Sequence, residues 1–316
     1  MSARISQKII LGSRGSELAR AQTAMVAKAL QHAWPEIEVR LEIVRTLGDD
    51  RSLETAEPID PRAGRKGLFT GEIERVLSEG GIDIAVHSAK DLPSDTTPGL
   101  ELRGALPRAA VEDVLIRKTA GGWAALAANA VVATGSVRRQ HQLRWKRPEL
   151  QVVDLRGNVP TRLRKLVTSD WAAIVLARAG VERLGHNLSG GPFVFEEASL
   201  HAEILSREDF LPAGGQGVVA LQVRDGDDQA RKLVDRVNHL ETFLCLQAER
   251  EFLRLLQGDC DSPVGVLAVI NTTTMKLRAQ VFEQGRLAPR VGVVEGSVEI
   301  GAERLAADLM DRINGV

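Results

Sequence analysis

The hydrophobic and polar positions of the first two thirds of the chain follow one repeated order: an apolar run, a polar turn and an amphipathic segment. The run "KIILGS" is followed by Ser16, a good N-cap for a helix. That helix carries its apolar residues near one face, at Leu18, Met25, Val26 and Ala29. The run "IDIAV" is nearly all apolar, as a strand covered on both faces should be.

The same order returns in "AVVATGSVRRQHQL", "LQVVDLRGNVPTRLRKL" and "WAAIVLARAGVERLG". This alternation predicts α/β domains with largely parallel sheets. Ligands of open α/β sheets bind outside the carboxyl ends of the strands. Those ends are where the sequence places Arg14, His87 to Asp91, Thr134 to Arg139, and Arg156.

The last quarter of the chain has a different pattern, which predicts a smaller α+β domain. A long helical stretch, "HLETFLCLQAEREFLRLL", leads to a turn around Cys260, then to three apolar runs and a final helix from about Ala302. The predicted division is residues 1–107 with about 214–235 as domain 1, 111–205 as domain 2, and 238–316 as domain 3.

Length and charge narrow the class of protein. A chain of 316 residues exceeds what one hydrophobic core usually supports, so two or three domains are expected. Lys and Arg (41) nearly balance Asp and Glu (42), and aromatic residues total 3%. Nucleic-acid binding is therefore the weakest functional hypothesis, and any anion site must be local.

Targeting and cysteine content favour a cytoplasmic location. The segment "MSARISQKIILGSRGS" lacks the apolar core of a signal peptide, and no later stretch resembles a membrane-spanning helix. Two cysteines do not form a disulfide framework. Cys245 is predicted to be a buried small hydrophobe, carried too far from Cys260 by its helix to form a bridge.

Positive charge is concentrated between residues 131 and 168, where nine basic residues stand against two acidic ones. A solvated helix face is one interpretation. Ser136 would cap a helix with Arg138 and Arg139 in its first turn, and Pro160 marks a second helix start near Arg162. Because the helix dipole disfavours cations there, the pattern favours an anion site.

The motifs narrow the chemistry of the ligand. Neither the GxxxxGK[ST] nor the GxGxxG pattern of nucleotide binding occurs in the sequence. The metal-binding patterns HExxH and paired CxxC do not occur either, so no metal is predicted. Several arginines at strand ends suit a small ligand with multiple carboxylates. Asp91 is the best acid/base candidate, although it could simply cap the segment before Pro93, and His87 is interpreted as structural.

Eight motifs in order, "GSRGSELARAQ", "GRKGLFTGEIE", "DIAVHSAKDLP", "ATGSVRRQHQL", "LRGNVPTRL", "AGVERLG", "LPAGGQGVVALQ" and "GDCDSPVG", resemble the porphobilinogen deaminase (hydroxymethylbilane synthase) family. The resemblance implies two periplasmic-binding-protein-like α/β lobes around a cleft and a third, smaller domain. It implies a transferase of tetrapyrrole (haem) biosynthesis that joins porphobilinogen units head to tail with loss of ammonia. The product would be the linear tetrapyrrole hydroxymethylbilane.

The resemblance also implies roles for individual residues. Asp91 and Lys90 would be catalytic, and Cys260 would hold a dipyrromethane cofactor through a thioether. Further cofactor contacts are implied for Ser88, Lys90, Asp91, Thr134, Ser136, Arg138 and Arg139. Substrate contacts are implied for Arg14, Ser16, Arg156, Arg162, Arg183, Lys66 and Phe69. The implied partners are porphobilinogen and its linear oligomers. No nucleic-acid or membrane partner is expected, and the chain is expected to be a monomer.

Some stretches depart from the family pattern. The segments 49–65 and 184–210 are longer than is usual in the family, and Arg65 stands where a glycine is common. Asp259, Asp261 and Ser262 replace residues usual beside the cofactor cysteine. Two adjacent carboxylates disfavour a thiolate, which suits a tether used once better than a turnover nucleophile.

A catalytically silent two-lobed protein that binds a polycarboxylate metabolite is the alternative. The combination of Asp91 with Cys260 favours the enzyme, since a simple receptor needs neither the carboxylate nor the thiol.

Overall fold

The computed structural model describes residues 8–45, 67–188, 191–257 and 263–315, with side chains in the second range from Thr70 onward. Contacts divide the chain into two compact units. Unit 1 comprises Met1–Arg108 with Val218–Cys260, and unit 2 comprises Ala109–Gly217 with Asp261–Val316.

The helices and strands alternate as the sequence pattern predicts. The strands are β1 Lys8–Ser13, β2 Glu38–Ile43, β3 Ile84–Ser88, β4 Leu100–Ala105, β5 Asp113–Arg117, β6 Val131–Ala133, β7 Gln151–Val153, β8 Ala173–Ala177, β9 Phe193–Phe195, β10 Ala198–Ile204, β11 Val219–Arg224, β12 Val264–Asn271, β13 Thr274–Val281 and β14 Arg290–Ser297. The helices are α1 Glu17–Ala33, α2 Gly67–Ser78, α3 Val137–Lys146, α4 Val159–Thr168, α5 Arg178–Glu182, α6 Asp228–Val237, α7 Leu240–Leu255 and α8 Ala302–Asn314.

Unit 1 is built on a five-stranded sheet in the order β2-β1-β3-β11-β4. Strands β1, β2 and β3 are parallel, whereas β11 runs antiparallel to both of its neighbours. Helices α1 and α6 pack on one face through Val26, Leu30 and Leu233, and α2 packs on the other through Ile73 and Leu77. Covering both faces explains why β3 is almost entirely apolar.

Unit 2 contains a six-stranded sheet in the order β7-β6-β8-β5-β10-β9. Strand β6 is parallel to β7 and β8, while β5, β10 and β9 extend the sheet in antiparallel fashion. Leu163 and Leu166 of α4 pack in one core cluster, and Leu143 of α3 packs in another. The hairpin β9–β10 lies within segment 184–210, which departs from the family pattern in length.

The chain ends in a three-stranded antiparallel sheet, β12-β13-β14, with α8 packed against it. Leu305 and Leu309 of α8 are fully buried, and the final helix begins at Ala302 as predicted. Two α/β lobes followed by this smaller α+β part confirm the predicted fold class.

Two expectations from the pattern are wrong. The sheets are mixed rather than largely parallel, because β5 and β11, the strands that follow the first two of the three passages between the units, pair antiparallel to their neighbours. Met25 is exposed, and the buried face of α1 instead includes Gln22 and Thr23, polar residues that find hydrogen bonds. The three-domain division stays a prediction.

Among the described helices, none combines the length and the apolar character needed to cross a membrane.

Candidate active site

The carboxyl ends of β1 and β3 border a cavity in unit 1 of about 70 Å³ that opens to solvent. These strands are parallel neighbours, so their ends meet at one edge of the sheet. The cavity is lined by four residues predicted for the site, Arg14, Ser16, Ser88 and Asp91. The structure therefore brings together side chains more than 70 positions apart in the sequence.

Arg14 and Ser16 lie in the turn that connects β1 to α1, and both line the cavity. Ser16 is the N-cap of α1, and its Oγ accepts a hydrogen bond from the Ala19 N–H at 3.3 Å. Arg14 is half-buried and directly follows β1. A guanidinium beside a helix N-terminus favours an anion such as a carboxylate.

Asp91 ends a short 3₁₀ turn, Ala89–Asp91, that follows β3. The turn is held by its buried neighbours. The Ala89 N–H donates to the Val218 carbonyl oxygen at 3.1 Å, and the Leu92 N–H donates to the Ala89 carbonyl oxygen at 3.2 Å. Because Ala89 and Leu92 are anchored in the core, half-buried Asp91 is held at the cavity wall. Lys90 lies on the same turn but is not one of the residues that line this cavity.

Gln22 also lines the cavity, although no sequence motif predicted it as a site residue. The Ser88 hydroxyl donates to Gln22 Oε1 at 2.9 Å, which joins the end of β3 to α1. The available signal was a pair of polar residues, Gln22 and Thr23, on an otherwise apolar helix face. Such residues are buried at a cost unless they are hydrogen-bonded.

His87 is buried beside these residues and lines the same cavity. Burial lowers its pKa to about 4, although Glu74 and Gln222 oppose that shift. The ring is therefore neutral at physiological pH.

In unit 2, Arg138 and Arg139 lie in the first turn of α3, as predicted, but both side chains point to an internal carboxylate. Asp113 Oδ2 is 2.8 Å from Arg138 Nη1, and Asp113 Oδ1 is 2.8 Å from Arg139 Nη2. Arg138 is 3% exposed, Arg139 4% and Asp113 0%. Burial opposes ionisation of Asp113, but the two guanidiniums outweigh burial and hold the pKa of that carboxyl well below its usual range.

Neighbouring groups complete the shell of this cluster. Arg138 Nη1 also donates to the Leu211 carbonyl oxygen at 2.7 Å, and Arg139 Nη1 donates to the Val175 carbonyl oxygen at 3.2 Å. Gln216 Nε2 donates to Asp113 Oδ1 at 2.8 Å. The Nε atoms of Arg138 and Arg139 are buried and have no hydrogen-bond partner among the described residues.

Thr134 and Ser136 form the turn between β6 and α3. Ser136 is the N-cap of α3, and Thr134 is fully buried. A Cβ at Gly135 would lie 2.3 Å from the Leu155 carbonyl oxygen, so only glycine permits this turn to approach the next one. That close approach brings the end of β6 against the end of β7, where Arg156 begins the turn into α4.

The other arginines of unit 2 are less enclosed. Arg156 is exposed and forms a pair with Asp154, with Nε and Oδ2 2.5 Å apart. Arg162 Nε donates to the Gly157 carbonyl oxygen at 2.6 Å. Arg183 Nη2 donates to the Gly217 carbonyl oxygen at 2.7 Å, and burial lowers the pKa of this guanidinium.

Cys260, Lys66 and the side chain of Phe69 lie outside the described part of the chain. Cys245 is buried in α7, which confirms its predicted place in the core. Within the described ranges, no group of three or more His, Cys, Asp or Glu side chains is arranged to hold a metal ion.

A second cavity, of about 280 Å³, lies in unit 2 near the β9–β10 hairpin. It is lined by Gly185, His186, Asn187, Pro192, Phe193 and Val194. None of these residues is a carboxylate or a guanidinium, so this larger cavity lacks the chemistry found beside Asp91.

Two family models match the chain. Residues 9–232 match the porphobilinogen deaminase, dipyrromethane cofactor binding domain, and residues 243–313 match the porphobilinogen deaminase, C-terminal domain.

Curated relatives agree with these matches. Porphobilinogen deaminase of Moorella thermoacetica is 42% identical over 309 residues, covering 96% of this chain and 94% of that one. Porphobilinogen deaminase of Roseiflexus sp. is 40% identical over 314 residues, covering 98% and 97%. Among solved structures, the VFT2 domain of Bordetella pertussis BvgS aligns with a TM-score of 0.42 and 16% identity, covering 73% of this chain and 85% of that one. The fold assignment rests on the strand order instead. By the family models and by identity over nearly its whole length, the chain belongs to the porphobilinogen deaminase family.

Proposed function

We propose that this chain joins porphobilinogen units head to tail, with loss of ammonia, to give hydroxymethylbilane, and that the bond forms in the cavity of unit 1. Family membership confirms the enzyme interpretation over the catalytically silent binding protein. The observation that carries the site is the placement of Asp91 and Arg14 on the wall of one cavity.

The residues present fit the dipyrromethane cofactor that the matched domain binds. A dipyrromethane bears pyrrole N–H donors and carboxylates. The cavity offers a carboxylate at Asp91 for the N–H groups and a guanidinium at Arg14 for the carboxylates. When bound, the cofactor supplies the primer to which successive rings are joined.

Asp91 is the proposed catalytic carboxylate. Positive charge develops on the substrate methylene carbon as ammonia leaves, and a fixed carboxylate nearby stabilises that charge. The same carboxylate can hold or return a proton during bond formation. Lys90, on the adjacent position of the turn, is proposed to assist through its positive charge.

Arg14 and Ser16 are proposed to hold carboxylates of the substrate at the N-terminus of α1. In unit 2, Arg156, Arg162 and Arg183 are proposed to hold carboxylates of the growing chain, with Lys66 and Phe69 as further substrate contacts. The cofactor roles of Ser88, Thr134, Ser136, Arg138 and Arg139 remain proposals. For Arg138 and Arg139, Asp113 already supplies one anion, and the orphaned Nε atoms are what a further acceptor would satisfy.

Product analysis tests the activity itself. Purified protein incubated with porphobilinogen should release ammonia and form the linear tetrapyrrole. Binding of porphobilinogen without release of ammonia would instead support the silent binding protein.

Attachment of the cofactor through Cys260 is tested by intact mass. The purified chain should exceed the polypeptide mass by one dipyrromethane. Cys260→Ser should lose that increment, whereas the matched control Cys245→Ala should keep it, because Cys245 is packed in the core of α7. An unmodified mass in active wild-type protein would contradict the attachment.

We also propose that the chain acts in the cytoplasm as a monomer, without a nucleic-acid or membrane partner. The near balance of 41 basic and 42 acidic residues supports the absence of a nucleic-acid partner. Sedimentation equilibrium should give the mass of one chain, and a dimer mass would overturn the monomer proposal.

A further inference from the structure

A line of buried polar side chains lies behind the cavity of unit 1. It runs from Glu74 on α2 through Gln222 on β11 to His87 on β3. His87 Nε2 is 2.9 Å from Gln222 Oε1, and Gln222 Nε2 is 2.8 Å from Glu74 Oε1. All three residues are buried, at 5%, 2% and 8% exposed for His87, Gln222 and Glu74. These side chains thus link α2 to the paired strands β3 and β11.

The direction of each hydrogen bond follows from the chemistry of Glu74. Both oxygens of this side chain accept: Oε1 accepts from Gln222 and Oε2 from the Thr97 hydroxyl at 2.9 Å. Reversing the Gln222 amide would place its oxygen against the Glu74 oxygen, and two acceptors would face each other in a buried site. The Gln222 amide nitrogen therefore faces Glu74, and its carbonyl oxygen faces His87.

The tautomer of His87 follows in turn. Because Gln222 Oε1 can only accept, His87 Nε2 carries the proton and Nδ1 carries a lone pair. Burial keeps the ring neutral by lowering its pKa to about 4, and of the charged groups around it Glu74 and Asp91 oppose this shift while Arg250 adds to it. Glu74 and Gln222 therefore act as positioning residues that orient the imidazole and fix its tautomer.

His87 lines the same cavity as Asp91, and no described residue gives its Nδ1 a hydrogen bond. Nε2 is used within the wall, so Nδ1 is the ring nitrogen left for the contents of the cavity. Among the side chains of this wall, Arg14 offers N–H donors and Ser88 uses its hydroxyl to donate to Gln22. A neutral acceptor beside the carboxylate of Asp91 suits an N–H donor on the ligand.

We propose that His87 is a substrate-binding residue whose Nδ1 accepts a hydrogen bond from an N–H group of the bound aminomethylpyrrole, either the pyrrole nitrogen or the amine. This inference rests on the proposed function and deepens it, because it adds a contact that selects for nitrogen donors. His87 thereby has a role in the site in addition to its place in the core.

Two substitutions distinguish the roles of the two ring nitrogens of His87. In His87→Gln, the amide nitrogen reaches the position of Nε2 and can still donate to Gln222, but the acceptor at Nδ1 is lost. In His87→Asn, the shorter amide oxygen lies near the position of Nδ1 and keeps an acceptor, but the donor to Gln222 is lost. The holoenzyme of each variant is assayed with porphobilinogen for kcat and KM and unfolded with urea.

The two variants are expected to have opposite effects: one raises KM and the other lowers stability. His87→Gln should raise KM roughly tenfold, because one hydrogen bond to the substrate is lost, with stability close to wild type. His87→Asn should keep KM within about twofold of wild type while losing stability, because a buried acceptor on Gln222 is left unsatisfied. The matched control His32→Gln, at an exposed position on α1, should change neither quantity. KM that follows stability in both variants would overturn the proposal.

The tautomer is read directly in wild-type holoenzyme labelled with ¹⁵N-histidine, with His87 assigned by its loss in His87→Gln. We expect the neutral Nε2–H form between about pH 6 and 8, and the Nδ1–H form would overturn the proposal. Failure of the proposed function is distinguishable: wild-type holoenzyme would then release no ammonia. Normal turnover without these opposite effects rejects only the role of His87.

Discussion

Both units have charged residues at the carboxyl ends of their strands, but the two sets of residues differ in burial and in ion pairing. At the ends of β1 and β3 in unit 1, Arg14 and Asp91 are half-buried and line an open cavity. After β6 in unit 2, Arg138 and Arg139 are almost fully buried and held by Asp113. The charges at the ends of β1 and β3 are thus partly accessible to a ligand, whereas those after β6 are enclosed together with an internal counter-ion.

The difference has an energetic basis. A buried guanidinium requires a nearby anion and satisfied hydrogen bonds, because desolvation of the charge is costly. A half-buried guanidinium such as Arg14 keeps part of its hydration and can exchange water for a ligand carboxylate. Two guanidiniums share one carboxylate in unit 2, so that cluster keeps an excess of positive charge inside the fold.

Removing the internal carboxylate is the strongest way to test this comparison. Asp113→Ala leaves Arg138 and Arg139 buried without their anion, and we expect the free energy of unfolding to fall by about 3–5 kcal/mol. Urea denaturation monitored by circular dichroism measures the change.

The matched control is Asp154→Ala. Asp154 pairs with Arg156 at the surface, where both side chains are about half exposed (48% and 53%). This change should cost less than about 1 kcal/mol. If the two substitutions lowered the free energy of unfolding equally, the buried pairing of Arg138 and Arg139 with Asp113 would not differ in energy from a surface ion pair.

The second test uses pH in unit 1. The pKa of His87 is about 4 in the folded chain against an ordinary value of 6.5. Below pH 6.5 the unfolded chain binds a proton that the folded chain does not, so stability falls as pH decreases from 6.5 to 4 and is unaffected by this group above 6.5. The full loss is about 3 kcal/mol.

This contribution is isolated as the difference between wild type and His87→Gln, measured by urea denaturation at several pH values. The variant lacks the titrating ring, so its stability should fall less steeply between pH 6.5 and 4. Parallel curves for the two proteins would show that folding does not lower the pKa of His87.

The smallest expected effect concerns an exposed arginine. Arg156→Ala should leave the free energy of unfolding within about 1 kcal/mol of wild type, since its surface pair contributes little. Loss of a contact to a substrate carboxylate should raise KM roughly tenfold. Steady-state kinetics with porphobilinogen measure this, and an unchanged KM would remove Arg156 from the set of substrate contacts.

Much of the fold was predictable because local patterns determine it. The helix starts at Ser16 and Ser136, the apolar strand β3 and the final helix from Ala302 all agree with the sequence patterns. The antiparallel direction of β11 was not predictable, because strand direction depends on where the chain returns from the other unit and not on its own residues.

The candidate site was predictable at Asp91 and Arg14, whose positions after apolar strands mark the sheet edge. Asp113 and Gln22 were missed, since their partners lie far away in sequence and only tertiary contacts reveal them. Asp113 did leave a trace: it is an acidic residue opening the run "DVLIR", every position of which is buried. A lone carboxylate in such a strand indicates a buried cation nearby.

Removing the carboxylate of Asp91 tests most directly whether the cavity of unit 1 performs the chemistry. Holoenzymes of Asp91→Asn and of the matched control Asp95→Asn, an exposed carboxylate four positions further along, are compared for ammonia release from porphobilinogen. We expect Asp91→Asn to keep the stability of wild type and to lose about a hundredfold or more in kcat, while Asp95→Asn retains wild-type turnover. Near-normal turnover by stably folded Asp91→Asn would contradict a catalytic role for Asp91.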